Sequence, residues 1–454
     1  MADLQTYVVT FNCARTPVDV DYFAAHVFTA LTASAPPDLL VLCLQEIAPV
    51  GYSFLGGALL SPYLGRFADA VALAAERRFA GNADARYVQV LARNVGMTAI
   101  VLFGRHSLAH RVQWLQTAGV GVGVYGDVGN KGAVGVRMGV HGVGGGETGT
   151  LTFVAAHLAP FEKECERRNE DWRTICENLV FEDVQGASSR AIAPRGGGGR
   201  ESEPLLAPAK KDSHPEGTLF HPASHVFFAG DLNYRASDSS PSASDFDSWP
   251  QPADSVSDAR HFSHLLKHDQ LTRERKAGRT LHHLEESDID FPPTYKYSTA
   301  AQKHVAHSDI VSAQTTLADG RTVETTEVRA PKEEVWLWAK HRVPSWCDRI
   351  LYLSTVAPQV HKYVALPVQP TSDHRPVALS CAVPLAAPGA EIEVEGPFEI
   401  NPRWREQRAR ARMCEILVGL VAYLGWTWEG EALLAGTIVG VVGGYLVLSA
   451  LVGM

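Results

Sequence analysis

Short apolar runs that stop abruptly at a polar residue recur along this chain. Residues 6–14 (TYVVTFNCA) run apolar to Asn12, residues 39–47 (LLVLCLQEI) to Glu46, and residues 151–158 (LTFVAAHL) to His157. Residues 225–235 (HVFFAGDLNYR) do the same, with Gly230 allowing a turn before Asp231 and Asn233. Apolar runs of this length, bounded by turn residues, predict strands buried on both faces. Residues 87–92 and 97–103 predict paired strands, and the glycine cluster at 142–146 predicts a hairpin. Apolar positions at helical spacing predict helices over 22–32, 68–79, 162–180 and 261–278. Strands alternating with helices over residues 1–385 predict an α/β domain of two packed sheets. Polar residues at the carboxyl ends of such strands stand where open α/β sheets place ligands.

Three stretches break the pattern. Residues 187–224 contain GGGG with much Pro, Ser and Lys, residues 237–257 are rich in Ser, Asp and Pro, and residues 302–334 are polar and Thr-rich. All three are expected to be disordered surface insertions. After 385 the character changes again. Residues 386–415, with Arg403, Arg405, Arg408, Arg410 and Arg412, are expected to be a basic linker. Residues 416–428 (ILVGLVAYLGWTW) are apolar but short, and suit an interfacial segment or a distorted second span. Residues 432–454 carry no charge; as a helix they reach ~35 Å, enough for a ~30 Å hydrocarbon core. The arginines before it predict a C-terminal anchor with the bulk of the chain in the cytosol. Gly436, Gly440 and Gly444 form a small-residue stripe that can bring two such helices together.

Charge and cysteine usage narrow the chemistry. A net charge of −9 argues against a general nucleic-acid binder. Seven scattered cysteines without a C-x-x-C pair predict free thiols rather than a disulfide framework or a zinc site. The N-terminus lacks the charged and apolar regions of a secretory signal. The polar residues at strand ends and in turns are Asn12, Glu46, Asn130, Lys131, His157, Asp231, Asn233, Asp348, Asp373 and His374. Carboxylates and amides without paired cysteines suit a hard, oxygen-preferring ion such as Mg²⁺, and the adjoining histidines and lysine suit a phosphate-bearing substrate.

The motifs FNCA, LQEI, GNKGAV, HLAP, GDLNYR, PSWCDRIL and SDHRPV follow one another between residues 10 and 377. In this order they resemble the inositol polyphosphate 5-phosphatases of the endonuclease/exonuclease/phosphatase superfamily. Pro160 and Ser298 depart from the family, which usually has alanine and often aspartate there. The resemblance implies two packed mixed sheets flanked by helices, a four-layer deoxyribonuclease-like sandwich, followed here by a transmembrane helix. It implies Glu46, helped by Asn12 and with Asp373 beside them, as Mg²⁺ ligands. It implies Asp231 as the base for the attacking water, Asn233 as the residue aiming it, and His374 as a phosphate ligand oriented by Asp348. His157 and Asn130 would lie against the phosphate, with Lys131 near the scissile group. Tyr295, Lys296, Lys340 and Arg342 would grip a neighbouring 4-phosphate. Phosphatidylinositol 4,5-bisphosphate is the expected substrate, since a bilayer anchor concentrates the enzyme on lipid. A catalytic domain followed by a tail anchor is similar to the endoplasmic-reticulum members of the family in yeasts. A nuclease on the same fold and a non-catalytic phosphoinositide-binding adaptor are the alternatives.

Overall fold

The computed structural model describes residues 3–33, 35–123, 128–142, 148–184, 217–220, 224–306, 310–316, 322–328, 335–385 and 394–453. In chain order its first strands are β1 (Leu4–Asn12), β2 (Leu39–Gln45), β3 (Tyr87–Val95), β4 (Thr98–Arg105), β5 (Val112–Gly121), β6 (Gly132–His141) and β7 (Thr148–His157). They are followed by β8 (Glu182–Asp183), β9 (Ser224–Asp231), β10 (Leu284–Glu285), β11 (Ile310–Thr316), β12 (Thr322–Val328), β13 (Asp348–Leu353), β14 (Gln359–Ala365) and β15 (Val377–Val383). One sheet has the order β14-β15-β1-β2-β4-β3 and the other β10-β13-β9-β7-β6-β5-β8. Each contains one parallel pair, β1 with β2 and β7 with β9, among antiparallel neighbours. These are the two mixed sheets of the expected sandwich.

The helices are α1 (Val20–His26), α2 (Val50–Leu55), α3 (Ser61–Arg78), α4 (His106–Ala109), α5 (Cys165–Asn178), α6 (Phe262–Leu266), α7 (Gln270–Lys276), α8 (Thr299–Ala306), α9 (Trp404–Trp426) and α10 (Trp428–Val452). Val8, Val41 and Ile100 of the first sheet meet Val136, Phe153 and Phe227 of the second in the central core. The outer face of the first sheet (Tyr7, Val9, Phe11) is covered by Phe23 of α1 and by Phe67 and Val71 of α3. The outer face of the second (Val154, Phe228) is covered by Trp172 and Ile175 of α5. With both faces covered, β2 is buried at every position and reads as a continuous apolar run rather than an alternating one.

The expected helix at 261–278 is two helices. Asp269 breaks it by capping α7, accepting from Thr272 N–H at 2.9 Å while pairing with buried Arg349 at 3.0 Å. The expectation of disorder at 237–257 is corrected: Trp249 is buried with Trp336 and Trp338, and Trp338 Nε1 donates to the Pro250 carbonyl at 2.7 Å. Polar composition concealed a few aromatic anchors. Of 187–224, only residues 217–220 and 224 lie among the described residues, with Leu219 and Phe220 buried. Of 302–334, residues 302–306 end α8, and β11 and β12 pair as an antiparallel ribbon; the rest lies outside the described residues.

The expected boundary between a linker ending at 415 and an apolar segment starting at 416 is corrected too. Residues 404–426 form one helix, α9, docked on α2. Its buried positions are Trp404, Ala411, Glu415, Gly419 and Ala422, at helical spacing, while Arg405, Arg408, Arg410 and Arg412 are exposed. Small residues make the approach close. A Cβ on Gly419 would stand 2.8 Å from Phe54 Cβ, and one on Gly51 would stand 2.9 Å from the Tyr423 backbone. Tyr52 donates to Glu429 at 2.9 Å, tying the start of α10 to the domain. Thr427 caps α10, accepting from Gly430 N–H at 3.1 Å. By length and composition α10 is a candidate membrane span, and past Gly430, its buried residue, none of its positions is buried.

Candidate active site

Strand register places the acidic and imidazole groups. His157 at the end of β7 pairs with Asp231 at the end of β9, and Asp231 pairs with Asp348 at the start of β13. Three of the expected site residues therefore lie on one rung of the second sheet. From the first sheet, β1 and β2 end at Asn12 and Gln45, which pair with each other, and Glu46 follows. His374 lies three residues before β15, and Ser372 donates to the Asn12 carbonyl at 2.6 Å, holding the two segments together. The ends of both sheets thus converge on one cavity of about 530 Å³.

Asp231 is its centre and is 1% exposed. Its Oδ2 accepts from Asn12 Nδ2 at 2.8 Å and lies 3.1 Å from His157 Nε2 and 3.9 Å from His374 Nε2. Its Oδ1 accepts from Asn233 N–H at 3.2 Å. Burial would raise the Asp231 pKa, but His157, His374 and Lys131 hold it well below the usual carboxylate range. His374 Nδ1 lies 2.9 Å from Asp348 Oδ2, which also accepts from Thr294 Oγ1 at 2.7 Å. Burial would lower the His374 pKa, but Asp348 and Asp231 push it up to about 9, so this imidazole is a cation at neutral pH. Burial pushes Asp348 up.

Glu46 sits at a left-handed backbone position, φ 46°, between Arg15 at 3.1 Å and Lys131 at 3.6 Å. Burial works against its charge, but Lys131, His157 and Arg15 draw its pKa down. Ala14, Arg15 and Asn233 also have positive φ, so unusual backbone concentrates around the cavity, as it does at functional sites. Lys131 Nζ is 2.5 Å from His157 Nε2. Burial lowers the pKa of both groups.

Of the expected site residues, Asn12, Glu46, Lys131, His157, Asp231, Asn233, Tyr295, Lys296, Asp373 and His374 line the cavity. Asp348 lies buried beneath it. Asn233 directs its amide into the loop, donating to the Leu158 carbonyl at 3.1 Å and accepting from Arg235. Asp373 pairs with Lys296, so its carboxylate serves the rim rather than the group around Glu46. Three expected substrate ligands are not among the lining residues. Lys340 places its ammonium 4.6 Å from the Phe246 ring, Arg342 lies over Phe161 at 5.0 Å, and the Asn130 amide oxygen packs on Gly123.

Two lining arginines were missed. Arg15 pairs with Glu46, and its only sequence signal is proximity to Asn12. Arg235 closes the GDLNYR motif, is 2% exposed, lies over the Tyr295 ring at 4.6 Å, and leaves its buried Nη1 without a hydrogen-bond partner.

Among the described residues, the tightest ligating group is Asp231, Asp348 and His374, whose donor atoms lie within 4.8 Å of one another. The expected set of Glu46, Asn12 and Asp373 is looser. Even so, the carboxylates of Glu46 and Asp231 with the Asn12 amide form an oxygen-rich donor set that fits a hard divalent ion. Asp348 Oδ1, buried without a hydrogen-bond partner, adds to the negative potential of the floor.

The chain belongs to the Endonuclease/Exonuclease/phosphatase family 2, whose pattern matches residues 9–315 and 322–380. It is 28% identical over 293 residues to the Type IV inositol polyphosphate 5-phosphatase 3 of Arabidopsis thaliana, covering 64% of this chain and 33% of that protein. It is also 28% identical over 283 residues to the mouse (Mus musculus) Phosphatidylinositol 3,4,5-trisphosphate 5-phosphatase 1, covering 61% of this chain and 18% of that protein. The match thus spans a third or less of these relatives. The fold is similar to that of the inositol polyphosphate 5-phosphatase domain of SPsynaptojanin, solved with inositol (1,4)-bisphosphate and a calcium ion. The TM-score is 0.54 at 20% identity, over 92% of this chain and 90% of that one.

Proposed function

We propose that this chain is a phosphoinositide 5-phosphatase that removes the 5-phosphate of phosphatidylinositol 4,5-bisphosphate. The observation that carries the reading is the bracing of Asp231 by Asn12, His157 and the backbone of Asn233, opposite the His374–Asp348 pair. The 5-phosphatase names of the relatives support the reaction class.

His374, cationic because of Asp348 and Asp231, holds the scissile phosphate and stabilises the charge that develops on it. Asp231 accepts a proton from the attacking water. Its lowered pKa makes it a weak base, so orientation by the Asn12 amide and the strand register counts for more than proton affinity. Lys131 and Arg235 add positive charge near the phosphate. Glu46, with Asn12 and Asp231, would hold Mg²⁺, which when bound supplies Lewis-acid polarisation of a phosphate oxygen. Lys296 and Tyr295 on the rim select the neighbouring 4-phosphate, with Arg342 further out.

The helix α10 anchors the domain in a bilayer, with the catalytic part in the cytosol; an endoplasmic-reticulum location rests on analogy alone. The exposed apolar half of α9, including Leu417, Val421 and Trp426, lies in the interface. The stripe of Gly436, Gly440 and Gly444, around which open space remains, would allow two α10 helices to pair.

The test is phosphate release from a panel of phosphoinositides and soluble inositol phosphates, with Mg²⁺ and with chelator. Metal-dependent release that favours 4,5-bisphosphates over 5-monophosphates is expected. Release from DNA instead would favour the nuclease alternative, and binding without release would favour the adaptor.

A further inference from the structure

The family pattern ends at residue 380, yet a side chain from α9 reaches the turn that carries Lys131. Glu415 is 4% exposed, and its carboxylate faces the backbone N–H of Gly129. The approach is so close that a Cβ on Gly129 would stand 2.2 Å from Glu415 Oε1. Arg412, one helical turn earlier, pairs with Glu415 at 3.1 Å and donates to the Phe54 carbonyl at 2.7 Å. The carboxylate is therefore held from behind.

Gly129 stands two residues before Lys131, whose ammonium lies between His157 and Glu46. The same turn reaches the other end of the site through backbone. Met97 N–H donates to the Gly129 carbonyl at 3.0 Å, and Ile47 N–H donates to the Met97 carbonyl at 3.3 Å. Ile47 follows Glu46 directly. A shift at Gly129 would thus be felt at both Lys131 and Glu46, and displacements of ~1 Å cost ~10²-fold in rate.

We propose that Glu415 is a positioning residue of the active site, fastening the 128–131 turn so that Lys131 and Glu46 keep their places, and that α9 is consequently part of the catalytic unit. The inference rests on reading the cavity as a phosphate-hydrolysing site. Because the chain runs from α9 through Thr427 into α10, Glu415 also links the membrane-length helix to the turn that carries Lys131.

The test uses full-length protein with soluble short-chain phosphatidylinositol 4,5-bisphosphate and Mg²⁺, measuring kcat, KM and amide hydrogen exchange. Glu415→Ala is expected to lower kcat about 10- to 100-fold with KM changed about 2-fold or less. Exchange at residues 128–131 should speed up while α9 stays protected. Glu415→Gln, which keeps an acceptor for Gly129 N–H, should restore slow exchange and most of kcat. In a Lys131→Ala background, Glu415→Ala should cost only about 2-fold more, because the two act as one unit. Unchanged exchange at 128–131 in Glu415→Ala overturns the proposal, whatever the activity. So does an additive loss in the double variant, or loss of protection along all of α9, which would mean helix docking alone. A wild type that releases no phosphate refutes the hydrolytic reading and this role in catalysis; the fastening of the turn is then judged by exchange.

Discussion

On the floor of the cavity, His157, Asp231 and Asp348 come from three adjacent strands and lie on one rung of a sheet, each 1% exposed or less. On the rim, Lys296, His341 and Gln302 come from loops and a helix, and Lys296 is held by a salt bridge to Asp373. Floor distances are set by backbone hydrogen bonds, which side-chain motion does not alter. Rim distances depend on long side chains with several alternative partners, and Lys340 and Arg342 have found theirs on aromatic rings. On the proposed reading, chemistry that needs sub-ångström geometry sits on the floor, and selection among ligands, which tolerates adjustment, falls to the rim.

Substitutions on the floor, and at His374 held by Asp348, should have the largest effects. Asp231→Ala and His374→Ala are each expected to lower kcat about 10²–10⁴-fold, read as steady-state phosphate release. A loss under about 10-fold would remove the floor from catalysis. Asp348→Asn should cost about 10–100-fold, as loss of an orienting partner does. It should also shift the pH profile. His374 acts as a cation with a pKa of about 9, so wild-type activity should fall as pH rises through that value, and Asp348→Asn should move this limb to lower pH. An unmoved limb would separate His374 from the pH dependence.

At the rim, Lys296→Ala should raise KM for 4,5-bisphosphates about 10-fold, a change worth ~1.4 kcal/mol, with kcat nearly kept. Lys340→Ala should change little, since its ammonium rests on Phe246. A reversed order would show that the rim rearranges on binding. The smallest effect is on stability in the absence of metal. His374 has a folded pKa of about 9, above the unfolded value of about 6.5. Its contribution is therefore complete below about pH 6.5 and is lost as pH rises through about 9. Thermal unfolding of chelated wild type should show this decline, and His374→Ala should flatten it.

The same contrast explains what could be read from sequence. Asn12, Glu46, His157 and Asp231 stand where apolar runs stop, and a strand's end is visible in its hydrophobic pattern. The register that pairs Asp231 with His157 and Asp348 is tertiary, and only motif resemblance brought them together. Lys340 and Asn130 belong to motifs too, but where a side chain points within a loop depends on neighbours such as Phe246 and Gly123 that lie far away in sequence. Helix α9 was obscured for a related reason. Its exposed arginines dominated the composition, while the small residues that dock it, Ala411, Gly419 and Ala422, carry no signal of their own. Residues 237–257 show the converse, with a buried Trp249 outweighed in the sequence by the serines around it.

The most direct measurement is phosphorus NMR of phosphatidylinositol 4,5-bisphosphate turned over by the full chain with Mg²⁺, alongside Asp231→Asn. The account predicts inorganic phosphate and phosphatidylinositol 4-phosphate from the wild type, and almost no product from the variant. Loss of the 4-phosphate, cleavage of the phosphodiester, or equal turnover by Asp231→Asn would contradict it.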